Sequence, residues 1–127
     1  MWQLSIYSAH APAPIGPYSQ AVQAGNMLFI SGQIAIQKSS GNILTGNIEM
    51  ETQQVMENLK EILTAAGMDF SHVVKSSIFL KDMGNFPKVN EVYGRHFPQQ
   101  PPARETVEVS RLPKDVNVEI SCIAVKP

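Results

Sequence analysis

Between positions 49 and 66 the apolar side chains Val55, Met56, Leu59, Ile62, Leu63 and Ala66 return at spacings of one, three and four residues. That spacing lays them along one stripe of a helix. Asn47 can cap its start, Glu49 and Glu51 suit the positive end of its dipole, and Gly67 suits a left-handed exit. A second helix is predicted from Asn85 or Gly84 to about Phe97, with Pro87 in its first turn and Phe86, Val89, Tyr93 and Phe97 facing inward. Elsewhere the period is two. Positions 3–8 read as a short edge strand, 18–24 and 27–36 as a hairpin turning at Gly25-Asn26, and 73–80 as a strand ended by Lys81-Asp82. Three prolines between positions 10 and 17 exclude regular structure there, and 37–47 is a polar loop. Gly32 interrupts its strand, which marks a bulge or a point where something approaches the backbone closely.

After a proline-rich approach at 98–102, two further strands flank a tight polar turn. Pairing Val107 with Ile120 and Val109 with Val118 matches apolar to apolar in an antiparallel hairpin. On that register the helices cover the valine face of the first strand and Val118, Ile120, Cys122 and Ala124 of the second. The opposite face then carries Arg104, Thr106, Glu108 and Ser110 beside Glu119, Ser121, Ile123 and Val125. Such a face is too mixed for a core and too apolar for free solvent, which is the composition of a subunit interface with polar clefts in it. No repeat, linker or low-complexity tract divides the chain. Residues 1–127 are therefore expected to form one α+β domain, a mixed or antiparallel sheet with two helices packed on one face.

Length and composition narrow the function classes. A chain of 127 residues with 43% hydrophobic and 17% charged residues builds one real core and little else. A net charge of −1 and the absence of any Lys/Arg run give no footprint for a nucleic-acid backbone. The apolar stretches are too short to cross a membrane, and the N-terminus lacks the charged and apolar regions of a secretory signal. Cys122 is the single cysteine and has no disulfide partner within the chain, so a reducing cytoplasm is expected.

Candidate chemistry is sparse. Arg104, where the prolines stop and a strand starts, is either a solvated strand-end arginine or a planar fork for a carboxylate or phosphate. Glu119 lies among apolar neighbours, where a carboxylate is costly unless partnered; it is an interface ion-pair residue or a group that activates water. Tyr18 after Gly16-Pro17 is a half-buried strand residue or a pocket wall, and Asn90 is a helix-surface asparagine or a cleft residue. His10, His72, His96 and Cys122 lack metal-ligand spacing, so no metal site is expected. No phosphate-cradling glycine loop, nucleotide fingerprint or serine-nucleophile elbow occurs.

Several separate stretches resemble one family. Ala-Pro-Ile-Gly-Pro-Tyr-Ser-Gln at 13–20, Ser-Gly-Gln at 31–33, Val-Lys-Ser-Ser-Ile-Phe-Leu-Lys-Asp at 74–82 and Val-Asn at 89–90 resemble the RidA (YjgF) enamine/imine deaminases. So do Pro-Pro-Ala-Arg at 101–104, Val-Glu-Val-Ser-Arg-Leu-Pro-Lys-Asp at 107–115 and Val-Glu-Ile at 118–120. The resemblance is collinear over nearly the whole chain. It implies a chorismate-mutase-like fold assembled as a homotrimer, with the sheets lining a barrel and sites in the clefts between subunits. It implies hydrolysis of 2-aminoacrylate-type enamines and their imine tautomers to 2-oxo acids and ammonia, without a cofactor. On that pattern Arg104 holds the substrate carboxylate, Glu119 positions the attacking water or carries its proton, and Tyr18, Asn90, Ser31 and Gly32 line the cleft. Thr106 stands where many bacterial members have a cysteine, so no thiol chemistry is available there. A non-catalytic binder of small 2-oxo acids in the same cleft is the alternative; a nuclease or translation inhibitor is disfavoured by the charge.

Overall fold

In the computed structural model, which describes residues 2–127, a six-stranded sheet carries two helices on one face. The strands β1 (Gln3–Ile6), β2 (Ala21–Ala24) and β3 (Met27–Gln33) form an antiparallel meander. Its last turn needs Gly25, whose φ of 62° is the left-handed value that glycine adopts without steric cost. The helix α1 (Ile48–Ala65) leads to β4 (Val73–Leu80), α2 (Phe86–Gly94) leads to β5 (Ala103–Glu108), and β6 (Val118–Val125) returns to the middle. The spatial order is β1-β2-β3-β6-β4-β5. β6 runs antiparallel to both neighbours, and β4 runs parallel to β5.

The helices follow from their stripes. Asn47 Oδ1 accepts from the Met50 N–H at 3.0 Å, and the chain leaves α1 through Gly67 at a φ of 72°. Val55, Met56, Leu59, Ile62 and Leu63 are fully buried against Leu28, Ile78, Leu80 and Ile120 of the sheet. Each such side chain stabilises the fold by about 1.5–3 kcal/mol. α2 contributes Val89, Tyr93 and, from the turn beyond it, Phe97. Cys122 belongs to the same core, and burial pushes its thiol up to about 11, out of reach of thiolate chemistry.

The hairpin expected for the last two strands does not form. β4 lies between β5 and β6, and β5 pairs with β4 in parallel, Arg104 opposite Ser76 and Thr106 opposite Ile78. The face assigned to β6 holds: Val118, Ile120, Cys122 and Ala124 are buried. The face assigned to β5 is reversed. Arg104 and Thr106 point toward the helix layer, and Val107 is 41% exposed on the open side. The cause is topological. A strand, a helix and a parallel strand form a crossover unit, so α2 delivers β5 to the edge of β4. Both edges of β6 are already used by β3 and β4.

The other face of the sheet is open. It presents Met27, Phe29 and Val107 among Lys75, Ser77, Glu105 and Ser121. None of the helices is long and apolar enough to cross a membrane.

The cap and the core should separate in an unfolding experiment. In urea titrations followed by circular dichroism, Asn47→Ala is expected to lose about 1 kcal/mol and Leu59→Ala about 2–5 kcal/mol. A larger loss at the cap than in the core would contradict this account of α1.

Candidate functional site

Opposite β6, β3 takes one extra residue. Ile30 pairs with Cys122, but Gln33 pairs with Ile120, so Ser31 and Gly32 form a bulge. The bulge is fixed on both sides. The Ser31 N–H donates to the Gln20 carbonyl at 2.9 Å, and Ser31 Oγ donates to the Ser19 carbonyl at 2.6 Å. Glu119 lies across this backbone. A methyl group on Gly32 would sit 2.7 Å from Glu119 Cδ and closer still to Oε2, so glycine leaves room for the carboxylate where it stands and any larger residue would displace it.

The bulge opens into a cleft of about 450 Å³ whose walls include Ile15, Tyr18, Gly32, Ile34, Pro113 and Glu119. Tyr18 is half exposed, and its hydroxyl accepts from the Ile15 N–H at 3.3 Å. The proline-rich segment is folded over the sheet by Gln20. The buried Gln20 Oε1 accepts from the Ser8 N–H at 2.7 Å, and Nε2 donates to the Pro12 carbonyl at 2.8 Å. Asn58 of α1 holds the opposite wall, its Nδ2 donating to the carbonyls of Ile34 and Ile36 at 3.0 Å each. Only Glu119 among these lining residues carries a charge. It is half buried, no hydrogen bond reaches its carboxylate among the described residues, and desolvation raises its pKa above the ordinary 4.5.

Arg104 belongs to a second constellation, on the helix side. Its guanidinium lies 5.1 Å from the Tyr93 ring centroid and 5.5 Å from that of Phe86, and its Nη1 donates to Asn90 Oδ1 at 2.7 Å. No carboxylate pairs with it among the described residues. Glu105, its neighbour in sequence, points to the open face and pairs there with Lys75 at 3.0 Å and with the Ser77 hydroxyl. Thr106 follows Arg104 on the helix side, and its Oγ1 is buried without a partner. The Tyr93 hydroxyl is likewise buried close to Ser76 without completing a hydrogen bond, and burial raises its pKa. A held cation without a carboxylate partner and a hydroxyl without an acceptor leave hydrogen-bonding capacity unused on this side of β5.

The expected site residues thus fall into two groups within one chain. Tyr18, Ser31, Gly32 and Glu119 meet at the cleft, whereas Asn90, Arg104 and Thr106 meet under α2. The shared face expected for Arg104 and Glu119 is corrected: Glu119 is opposite Phe79, whose parity is the reverse of Ser76, the partner of Arg104. Sequence reading missed Ile15, Ile34 and Pro113 as cleft walls. The three prolines at 10–17 signalled only an interruption, although a rigid segment without donors is what a cleft wall requires.

Comparison with known proteins agrees with the fold. The sequence profile of the family described as endoribonuclease L-PSP matches residues 8–126. A RutC family protein of Pyrococcus horikoshii is 55% identical over 121 residues, covering 95% of this chain and 96% of its own length. The mouse protein named 2-iminobutanoate/2-iminopropanoate deaminase is 47% identical over 121 residues, covering 95% of this chain and 90% of its own. The crystal structure of Escherichia coli TdcF with bound serine superimposes with a TM-score of 0.92 at 39% identity, covering 96% of this chain and 98% of that one.

A carboxyl with a raised pKa keeps its proton in the folded state to higher pH than in the unfolded chain. Its ionisation therefore removes stability as pH rises from the ordinary value through the raised one. Glu119→Gln is accordingly expected to unfold at higher temperature than the parent at pH 7, with the advantage vanishing below pH 4 in a thermal scan. A variant less stable than the parent at pH 7 would show that the carboxylate is compensated.

Proposed function

Since the chain belongs to the endoribonuclease L-PSP family, the group to which its resemblance to RidA (YjgF) proteins pointed, we propose that it hydrolyses reactive enamine/imine intermediates. Its substrates on this reading are 2-iminobutanoate, 2-iminopropanoate and their 2-aminoacrylate-type enamine tautomers, and its products are 2-oxo acids and ammonia. The observation that carries the proposal is the lone Glu119 carboxylate, desolvated and unpartnered over the Ser31–Gly32 bulge. A group in that state accepts a proton from water near neutral pH more readily than a solvated glutamate does.

Because Arg104 and Glu119 occupy opposite faces of one chain, the complete site joins two copies. We assign the single domain of residues 1–127 to a homotrimer in which open sheet faces line a barrel. The mixed face with Met27, Phe29 and Val107 exposed supports this. Arg104 and Thr106 of one subunit then hold the substrate carboxylate while Tyr18, Ser31, Gly32 and Glu119 of a neighbour receive the imine, with Asn90 fixing the guanidinium. Water adds to C2 of the protonated imine as Glu119 takes one of its protons, giving a neutral carbinolamine. Glu119 returns that proton to the nitrogen and then takes the proton of the carbinolamine hydroxyl as the C–N bond breaks, so that ammonia leaves, the C2 carbonyl forms and the last proton passes to the ammonia as ammonium. An imine carbon is already electrophilic, so orientation and one positioned water supply much of the acceleration. The reaction needs no cofactor, and the chain is placed in the cytoplasm, where amino-acid dehydratases release such intermediates. The serine bound to TdcF supports a small amino-acid-like ligand in a protein of this fold. A net charge of −1 gives no support to RNA as the substrate.

Coupled to a pyridoxal-phosphate dehydratase acting on threonine, the protein is expected to speed 2-oxobutanoate release. Arg104→Ala and Glu119→Gln should each lower the rate about a hundredfold or more. Wild-type protein that leaves the rate of free decay unchanged, while binding 2-oxobutanoate, would replace catalysis by ligand sensing.

The two inactive variants also test the shared site. Refolding them together in equal amounts should restore about one quarter of wild-type activity, because that fraction of interfaces pairs an intact Arg104 with an intact Glu119. Sites contained within single chains would recover nothing.

A further inference from the structure

One acidic side chain is wholly buried and has no part in the reaction just described. Glu51, in the first turn of α1, is 0% exposed. Its Oε2 accepts from the backbone N–H groups of Asn117 at 2.7 Å and Val118 at 3.2 Å, and its Oε1 accepts from Asn117 Nδ2 at 2.8 Å. Buried positions of α1 near it include the apolar Val55, Met56 and Leu59 besides Thr52 and Asn58, and a hydrocarbon at position 51 would fill the space at lower desolvation cost. A carboxylate is kept here for what it grips.

What it grips is the entry to β6. The chain arrives from a turn in which Lys114 and Asp115 both adopt left-handed backbone, with φ of 59° and 57°, a conformation that costs non-glycine residues about 1–2 kcal/mol each. Pro113 of that turn and Glu119 beyond it both wall the cleft. Between them, Asn117 is held from two directions, by Glu51 and through its carbonyl by the Lys81 N–H at 3.0 Å. The Glu119 side chain has no hydrogen bond among the described residues to fix its place. Its position therefore comes from the strand, whose first residues are held by the Glu51 carboxylate as well as by pairing of Val118 with Leu80 and Glu119 with Phe79.

We propose that Glu51 is a positioning residue for the cleft, acting through Asn117 and Val118 to set Glu119 over the Ser31–Gly32 bulge. The proposal rests on the reading of Glu119 as the group that handles water, but its geometry is separable from that reading. Three consequences follow for substitutions. Glu51→Ala leaves two backbone N–H groups without an acceptor, so the start of β6 shifts. Glu51→Asp keeps the carboxyl group but falls short by one methylene. Glu51→Gln retains an oxygen for the two backbone donors, and its amide can donate to Asn117 once that side-chain amide turns over.

The test uses full-length protein with two readouts. In the coupled assay on threonine-derived 2-iminobutanoate, Glu51→Ala and Glu51→Asp are expected to lose about tenfold or more in turnover per folded molecule. Their affinity for 2-oxobutanoate should stay within about twofold, because the Arg104 seat is untouched, and Glu51→Gln should stay within about threefold of wild type in both. In 1H–15N spectra, the Gly32 and Glu119 amides should move in the alanine and aspartate variants and stay in the glutamine variant. Folded alanine and aspartate variants with full turnover and unmoved Gly32 and Glu119 amides would overturn the proposal, and so would a glutamine variant as impaired as the alanine one. If Glu51→Ala fails to fold, the aspartate and glutamine pair decides alone. If the wild type shows no deaminase activity, the proposed function fails, while the amide shifts still decide whether Glu51 sets the position of Glu119.

Discussion

β6 is hydrogen-bonded along both edges, to β3 and to β4, and its even-numbered side chains from Val118 to Ala124 are sealed beneath the helices. A strand so placed has no freedom of register, because a slip of one residue would drive Glu119 into the core and expose Ile120. The backbone that carries Glu119 is therefore firmly placed, although no hydrogen bond reaches its carboxylate among the described residues. The irregularity on the β3 side of this strand, one extra residue at Ser31–Gly32, lies under the Glu119 side chain and has a glycine where a Cβ would meet it. Rigidity from the strand and room from the bulge together produce a desolvated acid that is held still and left unneutralised.

The same two-sidedness keeps Arg104 away from Glu119 within a chain, and that separation has a use. Opposite charges in contact stabilise each other's ionised state and fill each other's hydrogen-bonding capacity. An Arg104–Glu119 pair would pull the glutamate pKa down and leave the arginine with nothing to offer an incoming carboxylate. Here the arginine is steadied by neutral partners, Asn90, Phe86 and Tyr93. The open face settles its own charges separately, Lys75 against Glu105. Neither charge is neutralised by an ion pair among the described residues, which is the state the proposed shared site requires.

The parts of this arrangement that local pattern controls were legible in the sequence. Asn47, the α1 stripe and Gly67 delimited one helix to within a residue at each end, and alternation gave β6 its correct inward set. What failed was the neighbour of β6. Val107 facing Ile120 is good local chemistry, and strands adjacent in sequence often pair. Yet a strand at 73–80, a helix from about 86 and a strand from 103 are the parts of a parallel crossover, and that longer-range signal decides where β5 goes. Glu51 was read only as an acid suiting a helix N-terminus. Its actual partners lie 66 and 67 residues away, where no spacing rule reaches. The family motifs supplied the roles of Arg104 and Glu119; their positions on opposite faces came from the structure.

Thr106 is where the local energetics and the proposed chemistry meet. A buried hydroxyl without a partner costs about 1–3 kcal/mol, whereas a cysteine thiol at the same place forfeits little, being a weak donor in any setting. In the isolated chain, threonine is thus the worse choice. It becomes reasonable if the missing acceptor arrives with the ligand, since Oγ1 lies on the same side of β5 as the Arg104 guanidinium, two residues along. A carboxylate offers lone pairs enough for a guanidinium and a hydroxyl at once. On the proposed reading the unsatisfied oxygen belongs to the carboxylate seat, and a hydroxyl in place of a thiol would add a contact to the substrate at a position where hydrolysis by water calls for no nucleophile from the protein.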